Sequence, residues 1–248
     1  MKTSTSRVSG KALLIMAVAA LAHPELPAQD EGVRFGIKLA PNMSWFKSDT
    51  KGLENDGSKI GYTVGLVTEF PIGTEGNYRF ATGLFLNAVG GKYFQAFSFT
   101  ENNQQLTKDL SSDISLQYVQ IPLTMKLMTK EIGYMRYYGQ LGFDASFNVK
   151  AKADFDDVVI DPTTQAITFV KQDKEDIKDN IQPIRAGLVF GAGLEYNFSG
   201  STTLQAGITY NNGLTNLLKK VEVVDANGNA KKAKLLQNFL ELNLAIFF

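Results

Sequence analysis

The stretch Phe239–Phe248, FLELNLAIFF, decides the fold. Leu240, Leu242, Leu244, Ile246 and Phe248 share one parity, and Glu241, Asn243 and Ala245 share the other. Apolar and polar residues alternating with period two mark a strand with two chemically different faces. The pattern runs to the last residue and stops on an aromatic. Such an ending is expected of the closing strand of an outer-membrane barrel. Leu244, Ile246 and Phe248 would then form the insertion signal read by the barrel-assembly machinery.

Working back from that strand, the same alternation recurs. Val33–Ala40 and Ile60–Phe70 carry it, as do Tyr78–Ala88 and Val119–Leu127. In Tyr134–Val149, one parity is Tyr134, Arg136, Tyr138, Gln140, Gly142, Asp144, Ser146 and Asn148, while the other is almost wholly apolar. Ile184–Phe198 and Leu204–Asn211 bring the expected strands to eight. Pro122 falls inside the fourth, and a mid-strand proline predicts a bulge there.

The connections alternate too. Pro71–Asn77, Met128–Gly133 and Ser199–Thr202 are short, whereas Lys47–Lys59, Tyr93–Ser112, Ala151–Asp179 and Gly213–Leu236 are long and polar. Aromatics gather near strand ends, with Phe70, Tyr78, Tyr134, Tyr196, Phe198 and Phe248 by the turns and Trp45, Tyr62 and Tyr210 by the loops. These features predict an all-β, eight-stranded, antiparallel up-and-down transmembrane barrel with short periplasmic turns and long external loops.

Composition fits and excludes. Lys plus Arg and Asp plus Glu are 25 each, so the net charge is zero and nothing favours a nucleic-acid partner. Cysteine is absent, which removes disulfides and thiolate metal sites. The single histidine, His23, lies in a segment that reads as a secretory signal. There Lys2, Arg7 and Lys11 precede the apolar run Ala12–Ala22, which falls short of the roughly 20 residues a spanning helix needs. Cleavage after Ala28 is expected, so residues 1–28 are the signal and 29–248 the barrel domain; cleavage after Ala22 is the alternative. A mature chain without imidazole lacks Ser-His and Cys-His catalysis and the usual zinc sites, which argues against an enzyme. No cofactor is implied.

Several segments resemble the PorT-like outer-membrane β-barrel family of Bacteroidota. They are Tyr118-Val119-Gln120-Ile121-Pro122-Leu123, Gly139-Gln140-Leu141-Gly142, Gly191-Ala192-Gly193-Leu194-Glu195-Tyr196 and Tyr210-Asn211-Asn212-Gly213-Leu214-Thr215-Asn216, in the family's order. Val119 and Gln120 depart from the family's Leu-Glu at those positions. The resemblance implies an eight-stranded outer-membrane barrel. It does not imply the secretion-linked role of the founding member; a secretion-system accessory role stands only as an alternative resting on this resemblance.

On the polar parity, Arg34, Lys38, Arg79, Lys126, Arg136 and Arg185 face Glu69, Asp144, Glu195 and Glu241. An eight-stranded barrel is just wide enough for side chains to fill. Opposite charges inside it would pair as a structural plug, because an isolated buried charge costs several kcal/mol. A narrow ion path or small-anion site is the sharper alternative. Asp154, Asp156, Asp157, Asp161, Asp173, Glu175, Asp176 and Asp179 crowd one long loop, but without the spacing of a calcium loop, so a solvated acidic loop is expected. Val158–Ile160 with Thr168–Val170, and Val221–Val224 with Lys231–Leu235 around Asn227-Gly228, suggest hairpins beyond the membrane.

The partners expected are outer-membrane lipid, the assembly machinery and an unknown protein at the external loops. A soluble lipocalin-like barrel for a small apolar ligand would also have eight strands, but with its greasy parity inward. An outer-membrane acyl hydrolase is disfavoured by the lost histidine.

Overall fold

Backbone pairing joins the alternating segments into a ring. The computed structural model describes residues 32–48, 50, 53–74, 76–101, 104–163, 167–199, 201–219, 222–224 and 230–248. The expected signal, residues 1–28, and the Asn227-Gly228 turn lie outside the described residues. Twelve strands are present among them: β1 (Arg34–Ser48), β2 (Leu53–Gly57), β3 (Lys59–Ile72), β4 (Tyr78–Glu101), β5 (Gln104–Met128), β6 (Met135–Ile160), β7 (Ile167–Asp176), β8 (Ile184–Ser199), β9 (Thr202–Gly213), β10 (Glu222–Val224), β11 (Ala230–Lys232) and β12 (Leu235–Phe247). No helix among the described residues is long and apolar enough to cross a membrane.

Eight of these strands close on one another in the order β1-β3-β4-β5-β6-β8-β9-β12 and back to β1, every pair antiparallel. The C-terminal strand seals the ring, with Ile37 opposite Ile246 and Asn42 opposite Glu241. Around the ring the greasy parity points out: Leu66 is 63% exposed, and Phe35, Leu141, Phe143, Ile208 and Leu242 are exposed likewise. The opposite parity is buried, with Lys126 at 0%. A lipocalin-like barrel requires the reverse, so that alternative is overturned. Leu244, Ile246 and Phe248 all lie on the outer face. Aromatic pairs mark both rims, Trp45 against Tyr210 at the long-loop end, Tyr134 against Tyr196 and Phe70 against Phe80 at the short-turn end. Gly73 and Gly133 adopt positive φ in the short turns, a conformation other residues enter at a cost.

Strand lengths differ from the expectation in an informative way. β4, β5 and β6 run 24, 25 and 26 residues, whereas a tilted strand crosses the hydrocarbon in about 9–11. The segment Tyr93–Ser112, expected as a loop, continues β4 and β5 as a hairpin up to Glu101 opposite Gln104. Its β5 arm is largely polar on both faces, as a strand standing in water can be, while its β4 arm carries Tyr93 and Phe94 on opposite faces and Phe97 stacked on Phe99, so the two arms share no clean alternation. The hairpin between Val158–Ile160 and Thr168–Val170 is present, with Val159 opposite Thr168. A short ladder pairs β10 with β11.

The tall strands keep their edges covered. Where β3 stops pairing with β4, at Tyr62, β2 takes over along Lys92–Gln95. Where β8 leaves β6, at Phe147, β7 takes over from Lys152. Five strands, β2-β4-β5-β6-β7, thus continue the wall beyond the ring, their unpaired donors and acceptors reduced to two short edges.

The expected bulge at Pro122 is absent. The β4–β5 register is the same on both sides of it, Thr82 opposite Leu123 and Phe85 opposite Gln120, with only the intervening pairs unmade. Pro41 does the same against β12, between Leu39 opposite Leu244 and Asn42 opposite Glu241. A missing N–H interrupts the ladder without adding a residue. The register shift in β5–β6 lies instead at Gln117/Tyr118.

Lipid contact on the outer face sets a depth-dependent cost. Leu244→Arg, halfway along the greasy run of β12, should destabilise the barrel by about 2–4 kcal/mol, and Phe248→Arg at the rim by about 0–1 kcal/mol. Urea titration of the protein folded into phospholipid vesicles reads both; equal costs at the two depths would contradict the placement of this face against lipid.

Candidate functional site: the lumen and its cap

Inside the ring, residues of one parity from eight strands converge, and the charges sort into neutral groups. At the short-turn end, Arg34 on β1 and Lys126 on β5 lie between Glu69 on β3 and Glu195 on β8. Arg34 Nη2 is 2.9 Å from Glu195 Oε1 and also bonds Glu69, and Lys126 Nζ is 2.7 Å from Glu69 Oε1 and pairs with Glu195. Lys126 also donates to Gln205 Oε1 at 2.7 Å. Both cations stand over rings, Arg34 on Phe247 and Lys126 on Tyr138. Two bases and two acids cancel, and most of their hydrogen-bonding capacity is used.

Higher up, Lys38 pairs with Glu241 at 2.8 Å, and Thr63 donates its hydroxyl to the same carboxylate. Above that, Arg185 Nη1 is 3.1 Å from Asp144 Oδ2, and Asp144 also accepts from Asn211, Ser146 and Gln120. Arg79, on the buried parity of β4, donates to the Gly32 carbonyl at 3.2 Å. Arg136 is set apart from these groups, bonding Glu131 at 3.2 Å beside the turn before β6.

Neutral polar residues complete the packing: Gln120, Gln140, Gln205, Thr209, Asn211 and Asn243. Parity put Gln140 and Asn243 on this face, but the part these uncharged residues play in filling the lumen was not legible, because an amide or hydroxyl on a polar parity looks like any solvated residue. The glycines opposite make the room. A Cβ at position 193 would stand 2.6 Å from the Tyr138 hydroxyl, so the β8 backbone must be bare where β6 lays a large ring over it toward β9. Among these side chains the remaining cavity is about 60 Å³, room for a few water molecules.

At the long-loop end the same parity becomes apolar. Phe46, Val89, Ile114, Leu116, Phe239 and Leu235 from the ring meet Leu53 on β2 and Ile181, Leu217 and Leu218 from the connections. Ile181 bridges Leu218 backbone to backbone. Tyr93 packs against this core, where burial pushes its phenol above the ordinary value against a smaller opposing hydrogen bond with Ser112. The cap was absent from the sequence reading altogether. Its signal is a change of phase: in β5 the apolar residues are odd-numbered from Leu127 to Val119 and even-numbered from Tyr118 to Ile114.

The acidic loop residues are dispersed. Asp154, Asp156, Asp157, Asp161 and Asp176 each accept from a backbone N–H, those of Lys174, Ser111, Val158, Thr163 and Lys178. Among the described residues no group of three or more His, Cys, Asp or Glu could hold a metal ion.

A closed antiparallel ring with a greasy exterior and a polar, ion-paired interior defines an integral membrane β-barrel. Residues 27–239 match the outer membrane protein beta-barrel domain family, and the chain belongs to it. It is an integral outer-membrane protein. No curated protein matches the chain. Among solved structures it is similar to Neisserial surface protein A, at 16% identity over 88% of this chain and 98% of that one, with a TM-score of 0.42. It is also similar to a major outer membrane protein of Thermus thermophilus, at 11% identity over 87% and 99%, TM-score 0.42. The attachment invasion locus protein Ail of Yersinia pestis matches at 15% identity over 88% and 99%, TM-score 0.33.

Lys126 is the centre of the basal group, and its removal leaves Glu69 and Glu195 sharing one cation. Lys126→Met should cost about 3–5 kcal/mol, the range for breaking a buried pair on one side. Adding Glu195→Gln should return part of that loss. Urea unfolding in detergent micelles measures both, and an unchanged midpoint for Lys126→Met would show that the group is not holding the wall together.

Proposed function

We propose that the protein is a non-enzymatic, non-conducting outer-membrane anchor whose long-loop end faces outward and presents the β2-β4-β5-β6-β7 wall and its hairpins to the cell exterior. One observation carries this reading: the lumen is filled twice, by neutral ion-paired groups below and by an apolar core above. Water and ions crossing it would have to break buried ion pairs and then wet a cluster of Leu, Ile and Phe. The outward placement of the long loops follows the habit of outer-membrane barrels, whose periplasmic turns are the short ones.

The non-enzymatic part of the reading is supported by the charges themselves. Glu69, Glu195, Glu241 and Asp144 are each engaged by a cation and shielded from solvent, the opposite of an exposed acid or base. The four motifs quoted above support placing the chain in the PorT-like branch of Bacteroidota. Export would use residues 1–28, and insertion would use Leu244, Ile246 and Phe248 through the assembly machinery.

Planar-bilayer recording on the refolded full barrel tests the plug. We expect no stepwise conductance, together with a gel mobility that shifts on boiling as folded small barrels do. Stable, reproducible unitary openings would replace the anchor with a pore.

A further inference from the structure

Above the greasy belt, lysines from β3, β6 and β7 gather on the outer side of β5 and β6, apart from the lumen. Lys59, Lys150, Lys152 and Lys174 surround an open cleft of about 440 Å³ with Ser115 and Gln117, against Asp113 and Asp154. Four cations face two anions, so the cleft is net positive.

Its height follows from the strands. On β5 the last greasy residues of the outward parity are Ile121 and Val119, and Gln117 and Ser115 come next on that face. On β6 the outward run ends at Phe147 and Val149, with Lys150 directly after. One side-chain repeat along a strand is about 7 Å, so the lysines begin at the level where acyl chains give way to headgroups.

The β5–β6 register shift at Gln117/Tyr118 turns them outward. Val119 pairs with Phe147 and Tyr118 with Asn148, but Gln117 pairs with Lys150, so Val149 is the extra residue. Below the bulge the outward residues of β6 are odd-numbered. Above it Lys150 and Lys152 point out while Ala151 and Ala153, 1% and 4% exposed, point into the apolar cap. Without the extra residue the lysines would face Leu116 and Ile114. A bulge that re-aims side chains in this way is a specific feature of the wall.

The two β6 cations are also available. Lys59 is held by Asp113 and by Ser115 Oγ at 2.6 Å, and Lys92 stands 3.9 Å from the same Asp113. Asp154 is occupied by the Lys174 backbone N–H at 2.5 Å, and Lys174 sits at φ 56, in the left-handed region where a lysine is uncommon. Lys150 and Lys152 have no ion-pair partner among the described residues, although Asp176 lies opposite Lys152 in the register.

We propose that this lysine cleft binds the phosphate groups of the glycolipid that forms the outer leaflet of the outer membrane. The proposal rests on the outward orientation given above. Lysine ammonium groups suit phosphate as point charges, and a ligand anchored by its acyl chains to the belt below would present phosphate at this height.

The test uses native mass spectrometry of the refolded full chain in detergent, titrated with diphosphorylated lipid A, dephosphorylated lipid A or inorganic phosphate. We expect adducts with the phosphorylated lipid only. Lys150→Gln with Lys152→Gln should weaken them about twenty-five-fold, at about five-fold per lysine near a charged membrane surface. Lys47→Gln, on β1 and outside the cleft, should leave them unchanged. Equal adducts with dephosphorylated lipid, or no effect of the double substitution, would overturn the site. An equal loss in Lys47→Gln would reduce it to general surface charge, and displacement by inorganic phosphate would make it a soluble-anion site. The single substitutions serve if the double variant fails to show heat-shifted mobility. Conductance recordings report on the plug independently, so failure here leaves the anchor reading standing, and the reverse.

Discussion

In hydrocarbon a backbone N–H or C=O has no water to turn to, so a strand can cross only if both edges are paired. The whole architecture depends on that requirement. It is met here by β12, whose residues pair with β1 on one side and β9 on the other. Without that seam, two edges of an eight-stranded sheet would lie unpaired in lipid. The prolines show how closely the condition is kept. Pro41 and Pro122 each suspend the pairing with one neighbour over a short stretch, yet the register resumes unshifted, so the ring still closes.

Closure then dictates the interior. Eight strands leave a lumen that side chains must fill, and a barrel whose outside is apolar has only its polar parity to fill it with. The charges cannot be scattered, because each unpaired one would carry a large desolvation penalty. They gather into the neutral groups of Arg34, Lys126, Glu69 and Glu195, of Lys38 and Glu241, and of Arg185 and Asp144. Bulk is balanced as charge is: Tyr138 crosses toward Gly193 and Gly207, which have no side chain to refuse it.

What the sequence revealed and what it concealed divide at the membrane surface. The eight crossings were legible because lipid forces one face of every strand to be greasy, which period-two reading detects. The parity of Lys126, Asp144 and Glu195 followed from that. The upper halves of β4, β5 and β6 escaped because lipid no longer disciplines them there: Thr107-Lys108-Asp109 and Ser111-Ser112-Asp113 read as loop chemistry but form strand. Arg136 was legible by parity but not by depth; lying beside the short-turn rim, it finds Glu131 instead of the lumen carboxylates.

The apolar cap also explains why the chemistry of the wall turns over at that surface. Below it, the medium outside is lipid, so burying apolar side chains in the lumen gains nothing from water and the outward face takes them. Above it, both the surroundings and the mouth of the lumen would be water, and the hydrophobic effect again favours an apolar interior. β5 makes the change in its sequence, passing from inward Gln120 to inward Leu116 and Ile114 at constant parity. β6 cannot do so at constant parity, since its odd-numbered residues are apolar both below, at Phe147 and Val149, and above, at Ala151 and Ala153. The extra residue at Val149 resolves the conflict by exchanging the faces. A single bulge therefore lets one uninterrupted strand obey lipid along one half and water along the other, and the lysines it turns outward fall where the two media meet.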